Sequence, residues 1–393
     1  TKAPAVTTRV AITSDDTLVS YQIGPQQTLK PIRLNLTIEL ARADGILDLA
    51  RVDVVKPHQA SREELELVHT PRYIDAVEQI SATATDPFGT YGWGIGIGDN
   101  PAFRGMHEAS ALVAGASLVA AERITSAQAE HAFNPAGGLH HAMPDRASGF
   151  CIYDDPAIAI RRLLDLGERV VYIDVDVHHG DGPQFIFYDE PNVMTISLHE
   201  SGEYLFPGTG FPEEIGAGAA EGTKVNVALP PLTDDDAYRA AFERVVPPLV
   251  ESFKPTILVT QLGCDTHATD PLAHLALVTG TYRWIAKTLH DLAHHTTHGR
   301  WLALGGGGYQ IYTVVPRAWT IYAAEITGAE LDDELPDAWR KLAMEHGAPP
   351  ELPRTLSDPP VRAPRGRLEQ AREEAKVAAE RTAAAVFGHH GIA

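Results

Sequence analysis

The chain has 393 residues, 44% hydrophobic and 21% charged, which suits a packed globular body; no apolar run approaches the about 20 residues of a membrane span. Fifty-two acidic against 32 basic residues give a formal charge of −20, which argues against a nucleic-acid partner and suits either plain solubility or a cationic substrate, such as a lysine-bearing peptide or a polyamine. The two cysteines, Cys151 and Cys264, form no C-x-x-C pair, and the stretch TKAPAVTTRV lacks the apolar core of a secretion signal, so no disulfide framework or thiolate zinc site is expected, and a cytoplasmic location is.

In chain order, the pattern predicts a strand over 9–13 and helices over 31–44, 61–68 and 71–82. Residues 84–101, ATDPFGTYGWGIGIGDNP, read as a long ordered loop carrying Phe88, Tyr91 and Trp93. Helices follow over 107–123 and 155–166, then strands over 170–177 and 193–198. A second long segment, 199–223, bears Tyr204 and Phe206 and suits a binding rim. A strand over 224–229, a helix over 235–252, a strand over 256–263, a helix over 275–296, a strand over 301–304 and a helix over 314–327 complete the alternation. Strands that read as continuous apolar runs between helices indicate an α/β fold with a central, mostly parallel sheet covered on both faces. We expect one catalytic domain over 1–348, then a Pro-rich linker and a C-terminal helix within 349–393, the helix over 368–387.

The chemistry concentrates in VVYIDVDVHHGDG, 170–182, where Asp174, Asp176, His178, His179 and Asp181 follow an apolar strand. So many ionisable groups at a strand end are costly to bury unless they hold a metal or one another. Side-chain alternation turns Asp174, Asp176 and His178 the same way. TILVTQLGCD brings Asp265 to the same sheet edge, and WLALGGGGY brings Tyr309. Asp176, His178 and Asp265 make a three-ligand set with an open position, as a catalytic zinc site needs; Fe2+ or Co2+ also suits two carboxylates and an imidazole. A metal-free Asp–His cluster is the alternative. His140 and His141 lie in a Gly-bounded turn, with Asp174 and Asp181 as spare acids to orient them, so that one imidazole can take a proton and the other give one. Tyr309 is either a hydrogen-bond donor to a developing oxyanion or a packed turn residue.

GGLHHA, GFCIYDD, DVDVHHGDG, TISLHE, YLFPGTG, the Asp of GCDTHATDP and LGGGGY occur in the order seen in the histone deacetylase superfamily, over roughly residues 10–325. NPAFRGMHEASALVAG, HAFNPAGGLHHAM, VTQLG and DPLAHLAL resemble the bacterial acetoin-utilisation (AcuC-type) deacetylases. The resemblance implies an arginase/deacetylase fold with the active site at the carboxyl ends of the strands, and zinc-dependent hydrolysis of an acetyl amide. It implies zinc on Asp176, His178 and Asp265, and tandem catalytic histidines His140 and His141 paired with Asp174 and Asp181. Tyr309 would polarise the carbonyl. Gly149, Phe150, Phe206 and Gly307 would line the acyl-lysine tunnel, with Leu272 near its rim. It also implies one potassium at Asp174, Asp176, His178, Ser197 and Leu198, and a second at the Phe187 and Val193 carbonyls. Arg33 would line an internal cavity, whose polarity Gln27 and Thr28 alter where relatives carry His-Pro. His267 is expected on the rim. The substrate would be acetyl-lysine in a protein, or an acetylpolyamine or other small acyl amide; a non-enzymatic metal- or acyl-binding regulator is the third reading. An oligomer is compatible with all three.

Overall fold

The computed structural model describes residues 9–22, 24, 27–84, 92–96, 98–361 and 365–393; Phe88 and Tyr91 lie outside them. Elements run β1 (Val10–Thr13), α1 (Ile32–Ala43), β2 (Val52–Val55), α2 (Arg62–Leu65), α3 (Pro71–Thr83), α4 (Met106–Thr125), β3 (His131–Asn134) and α5 (Asp155–Asp165). They continue with β4 (Val170–Asp174), α6 (Asp181–Ile186), β5 (Val193–Glu200), β6 (Lys224–Leu229), α7 (Asp235–Phe253), β7 (Ile257–Gln261), α8 (Thr279–Thr297), β8 (Trp301–Leu304), α9 (Val315–Thr327), α10 (Asp337–Glu345) and α11 (Arg365–Val386). The strands form one sheet in the order β2-β1-β3-β8-β7-β4-β5-β6, parallel at every pairing.

Strand alternation explains the layers. Val171 and Ile173 of β4 enter the core beneath α7, α8, α9 and α11, whereas Val170 and Tyr172 enter the core beneath α4 and α5. Three helices start at a side-chain cap: Thr70 accepts from the Tyr73 amide ahead of Pro71 in α3, Asp154 from Ala157 in α5, and Asp234 from Ala237 in α7. No helix among the described residues is long and apolar enough to cross a membrane.

Several boundaries differ from the sequence reading. The strand expected over 170–177 ends at Asp174, so Asp176 and His178 stand on the turn beyond it. The helix expected from 275 begins at Thr279, because Ala276 and Leu277 bridge in parallel to Asp234 and His267. The helix expected over 61–68 stops at Leu65. Sequence reading missed β2, β3, α6 and α10.

Beyond 349 the chain packs against the body. Asp358 receives Arg317 at 2.8 Å and faces His267 Nε2 at 3.0 Å, while its amide donates to Thr279 Oγ1 at 2.9 Å. α11 then lays Ala375, Ala379, Ala383 and Val386 into the core beside α7 and β6.

Candidate active site

Polar groups converge where β4, β7 and β8 end. These three strands are adjacent, and in a parallel sheet their carboxyl ends share one edge. The turn after β4 supplies Asp176 and His178, the turn after β7 supplies Asp265, and the glycines after β8 lead to Tyr309. All three acidic and imidazole groups are buried.

His178 Nδ1 lies 3.1 Å from Asp176 Oδ1 and 3.1 Å from Asp265 Oδ2. Ligands about 2.0 Å from an ion in tetrahedral geometry stand about 3.3 Å apart, so this spacing suits one ion held by three atoms. The remaining carboxylate oxygens are tied off: Asp176 Oδ2 accepts from Gln261 Nε2 and the Gly307 amide, both at 2.7 Å, and Asp265 Oδ1 from the Val177 amide at 2.9 Å. Such partners aim the other oxygen at the ion. Burial, then repulsion from Asp176, pushes the Asp265 carboxyl up to about 7. Two buried carboxylates this close need a positive charge between them. A protonated His178 supplies it only by giving up Nδ1 as a ligand, whereas a divalent ion supplies it and uses Nδ1 as donor. The residues present therefore fit a divalent metal. Glycine is required on both sides: a Cβ at Gly263 or Gly307 would meet Asp176 Oδ2 or Asp265 Oδ2 at 2.0 Å.

Beside this set, His140 Nδ1 donates to Asp174 Oδ2 at 2.7 Å and His141 Nδ1 to Asp181 Oδ1 at 2.6 Å. Their Nε2 atoms come within 3.1 Å of each other. The two rings differ electrostatically. Burial alone would lower His140, but Asp174 and Asp176 outweigh it and lift the imidazole to about 10. Burial and the neighbouring His140 lower His141, with Asp181 only partly opposing. One histidine thus holds its proton and the other is ready to accept one.

A cavity of about 330 Å³ opens above these groups, lined by His141, Gly149, Phe150, His178, Leu205, Phe206, Leu272 and Tyr309, with Gln27, Thr28 and Asp99 at its edge. Gly149 (φ +48°) has no room for a side chain, since a Cβ would sit 2.4 Å from the His141 ring. Phe150 keeps a left-handed φ of +67°, and its carbonyl accepts from the Tyr21 phenol at 2.6 Å. The Tyr309 ring lies 5.7 Å from Phe150 and 6.4 Å from His178; burial and the charge of Asp265 raise its phenol well above the ordinary value, keeping it a proton donor. Gly307 stands beneath the cavity, beside the carboxylates. Arg33 is buried, donates to the Gly308 carbonyl at 2.9 Å and lies over the Trp319 ring.

The potassium assignments separate. Ser197 stands opposite Asp174 in the β4–β5 register, with Leu198 beside it, next to the turn of Asp176 and His178. The outer pair of oxygens does not fit a second potassium. Buried Lys224 donates its ammonium to the Val193 carbonyl at 2.7 Å and to Thr223 Oγ1 at 2.8 Å, and the Phe187 carbonyl accepts from the Glu190 amide at 3.0 Å. His267, expected on the rim, is buried beside Tyr282 and bonded to Thr269 and Asp358.

Sequence reading missed three supporting residues. Tyr172 donates to Asp174 Oδ2 at 2.7 Å; its place two residues before Asp174, on the same strand face, was a usable signal. Gln261 bridges Asp176 to the Gly138 carbonyl, and Asp270 holds the Tyr309 amide at 2.9 Å; neither carries a pattern of its own.

Comparison with known proteins agrees with this geometry. A histone deacetylase domain profile matches residues 27–326. The acetoin utilization protein AcuC of Bacillus subtilis is 42% identical over 341 residues, 86% of this chain and 87% of its own; that of Staphylococcus xylosus is 38% identical over 324 residues, 82% and 84%. The structure of an HDAC homolog from Aquifex aeolicus superposes with a TM-score of 0.82 at 32% identity, covering 94% of this chain and all of that one, and a homolog complexed with SAHA gives the same values. The sheet order and its flanking helices are the arginase/deacetylase fold. With the buried carboxylate–imidazole set at its strand ends, this chain belongs to the histone deacetylase family and resembles its AcuC members.

Proposed function

We propose that the protein is a zinc-dependent deacetylase that removes acetyl groups from lysine side chains of proteins and releases acetate. The observation that carries this is the joining of two kinds of site at one cavity floor: the Asp176–His178–Asp265 ligand set and two histidines whose Nε2 atoms converge. Zinc bound there would act as Lewis acid toward the acetyl carbonyl and lower the pKa of water; Fe2+ or Co2+ fits the same donors. An inner potassium at Asp174, Asp176, His178, Ser197 and Leu198 would steady the turn that carries the ligands.

The residues divide the remaining work. His141, lowered by burial, takes a proton from the attacking water at Nε2, and Asp181 steadies the imidazolium that forms. His140, held through Nδ1 by Asp174, steadies the developing negative charge from beside His141. Tyr309 donates its phenol proton in a hydrogen bond to the carbonyl oxygen as it becomes an oxyanion. His141 then returns its proton to the leaving lysine amine, which departs as the C–N bond breaks. Phe150, Phe206 and Gly149 enclose the acyl-lysine stem, Leu272 borders the mouth, and Gly307 lets the backbone approach the metal ligands.

Zinc-loaded protein should release acetate from an acetyl-lysine peptide, and His141→Ala should lower kcat by about 1,000-fold or more, the larger end of general acid–base effects. Preference for acetylputrescine over the peptide would move the substrate to small amides. Unchanged turnover in His141→Ala would remove its assigned role. Absence of acetate release from every acetyl amide, at full zinc occupancy, would leave a binding protein.

A further inference from the structure

At the opposite end of the sheet lies a second set of imidazoles with no part in the deacetylase site. His131 opens β3, paired in register with Val10 and Trp301. His290 and His294 stand one turn apart near the end of α8, on the same helix face. Their Nε2 atoms point inward: His131 to His290 at 3.1 Å, and His294 to His290 at 3.0 Å.

The outer nitrogens decide what the inner ones can do. His131 Nδ1 lies 2.7 Å from the Gly299 carbonyl, which only accepts, so Nδ1 carries the hydrogen and neutral His131 offers a bare lone pair at Nε2. His290 Nδ1 faces a Glu325 carboxylate oxygen at 3.0 Å, which fixes the same tautomer. Two lone pairs therefore face each other at 3.1 Å, an arrangement that repels unless a positive centre lies between. The remaining features are those of a ligand set. A backbone carbonyl and a carboxylate orient two rings from behind, as around bound zinc, and the inner spacings approach the about 3.3 Å edge of a tetrahedron. A Cβ at Gly299 would lie 3.0 Å from His294 Cε1 and 3.6 Å from Glu130 Oε2, so a second carboxylate borders the cluster. His294 is exposed, which leaves a path for an ion.

We propose that His131, His290 and His294 bind a divalent zinc-like ion through Nε2, distinct from the metal of the deacetylase site, and that this ion ties the end of α8 to the edge of the sheet. Three neutral imidazoles favour zinc, copper, nickel or cobalt over calcium or magnesium.

The test uses the full chain with Zn2+ alone as probe, followed by calorimetry. Asp265→Asn disables the strand-end site, and wild type should bind two equivalents of zinc where this variant binds one. Adding His294→Ala to it should weaken that remaining equivalent by roughly 100-fold or more, since a ligand is lost rather than an outer partner. Co2+ in the Asp265→Asn protein should show tetrahedral visible bands that His294→Ala abolishes. His294 is exposed, so its single variant should keep the fold and the acetate-releasing activity of the wild type. The proposal fails if Asp265→Asn binds no zinc, or if His294→Ala leaves its zinc affinity and cobalt spectrum unchanged. Either result would make the three rings a hydrogen-bonded cluster that resolves its lone pairs by taking up a proton.

Discussion

Tyr309 sets the clearest expectation at the residue scale. Its phenol is held protonated beside the ligand carboxylates, and Asp270 fixes its backbone. Tyr309→Phe keeps the ring against Phe150 and removes only the donor, so kcat should fall about 100- to 1,000-fold with KM little changed, as measured by steady-state release of acetate. Asp358 has a structural counterpart. Burial would raise its carboxyl, but the bonds from His267 and Arg317 outweigh that and depress it. A depressed carboxylate stabilises the fold above its unfolded pKa, and the contribution fades as pH falls below about 4. Asp358→Asn should therefore cost about 2–3 kcal/mol at neutral pH in urea unfolding, less than a fully buried pair because this side chain is partly accessible. The gap between variant and wild type should narrow in acid. The residues nearest the chemistry were legible because their spacing is chemical: DVDVHHGDG cannot be packed without a use for its charges. Asp358 was not legible, since nothing in SDPP announces that it will meet His267 and Arg317 across the fold.

At the element scale, α11 shows how a helix rich in charge can still be part of a core. Ala371, Ala375, Ala379 and Ala383 recur every four residues and are buried, while Arg372 reaches Asp234 at 2.7 Å and Arg381 reaches Glu213 at 2.7 Å. The alanine stripe lets the helix approach β6, where Thr382 donates to the Asn226 carbonyl at 2.6 Å. Ala375→Glu would bury a carboxylate without a partner and should lower the thermal midpoint by several degrees, whereas Val377→Glu on the exposed side should leave it unchanged. The helix itself was legible from its strong formers, but its docking was not, because an alanine stripe does not name its partner. β2 and β3 escaped for another reason. At four residues each, VDVV and HAFN are held by register with β1 and its neighbours rather than by their own pattern. The end of β4 at Asp174 follows from the chemistry after it, since the turn that aims Asp176 and His178 breaks strand geometry.

Over the whole molecule, the parallel sheet separates two functions by direction. Its carboxyl edge gathers the deacetylase groups and its amino edge gathers His131, His290 and His294. The formal charge of −20 acts on both. A cationic acetyl-lysine peptide should be steered to the cavity, so raising salt well beyond physiological strength should lower its kcat/KM more than that of an uncharged acetyl amide, with kcat steady. One built-in charge behaves differently. Lys224, which burial lowers to about 7, puts its ammonium on the Val193 carbonyl below that pH, where the resemblance implies a diffusible alkali ion. A counter-ion joined to the chain by covalent bonds is never diluted. Dialysis into sodium or ammonium buffer below neutral pH should leave that corner of β5 and β6 as it was, and the identity of the dissolved monovalent salt would then act through the inner site proposed at Asp174, Ser197 and Leu198.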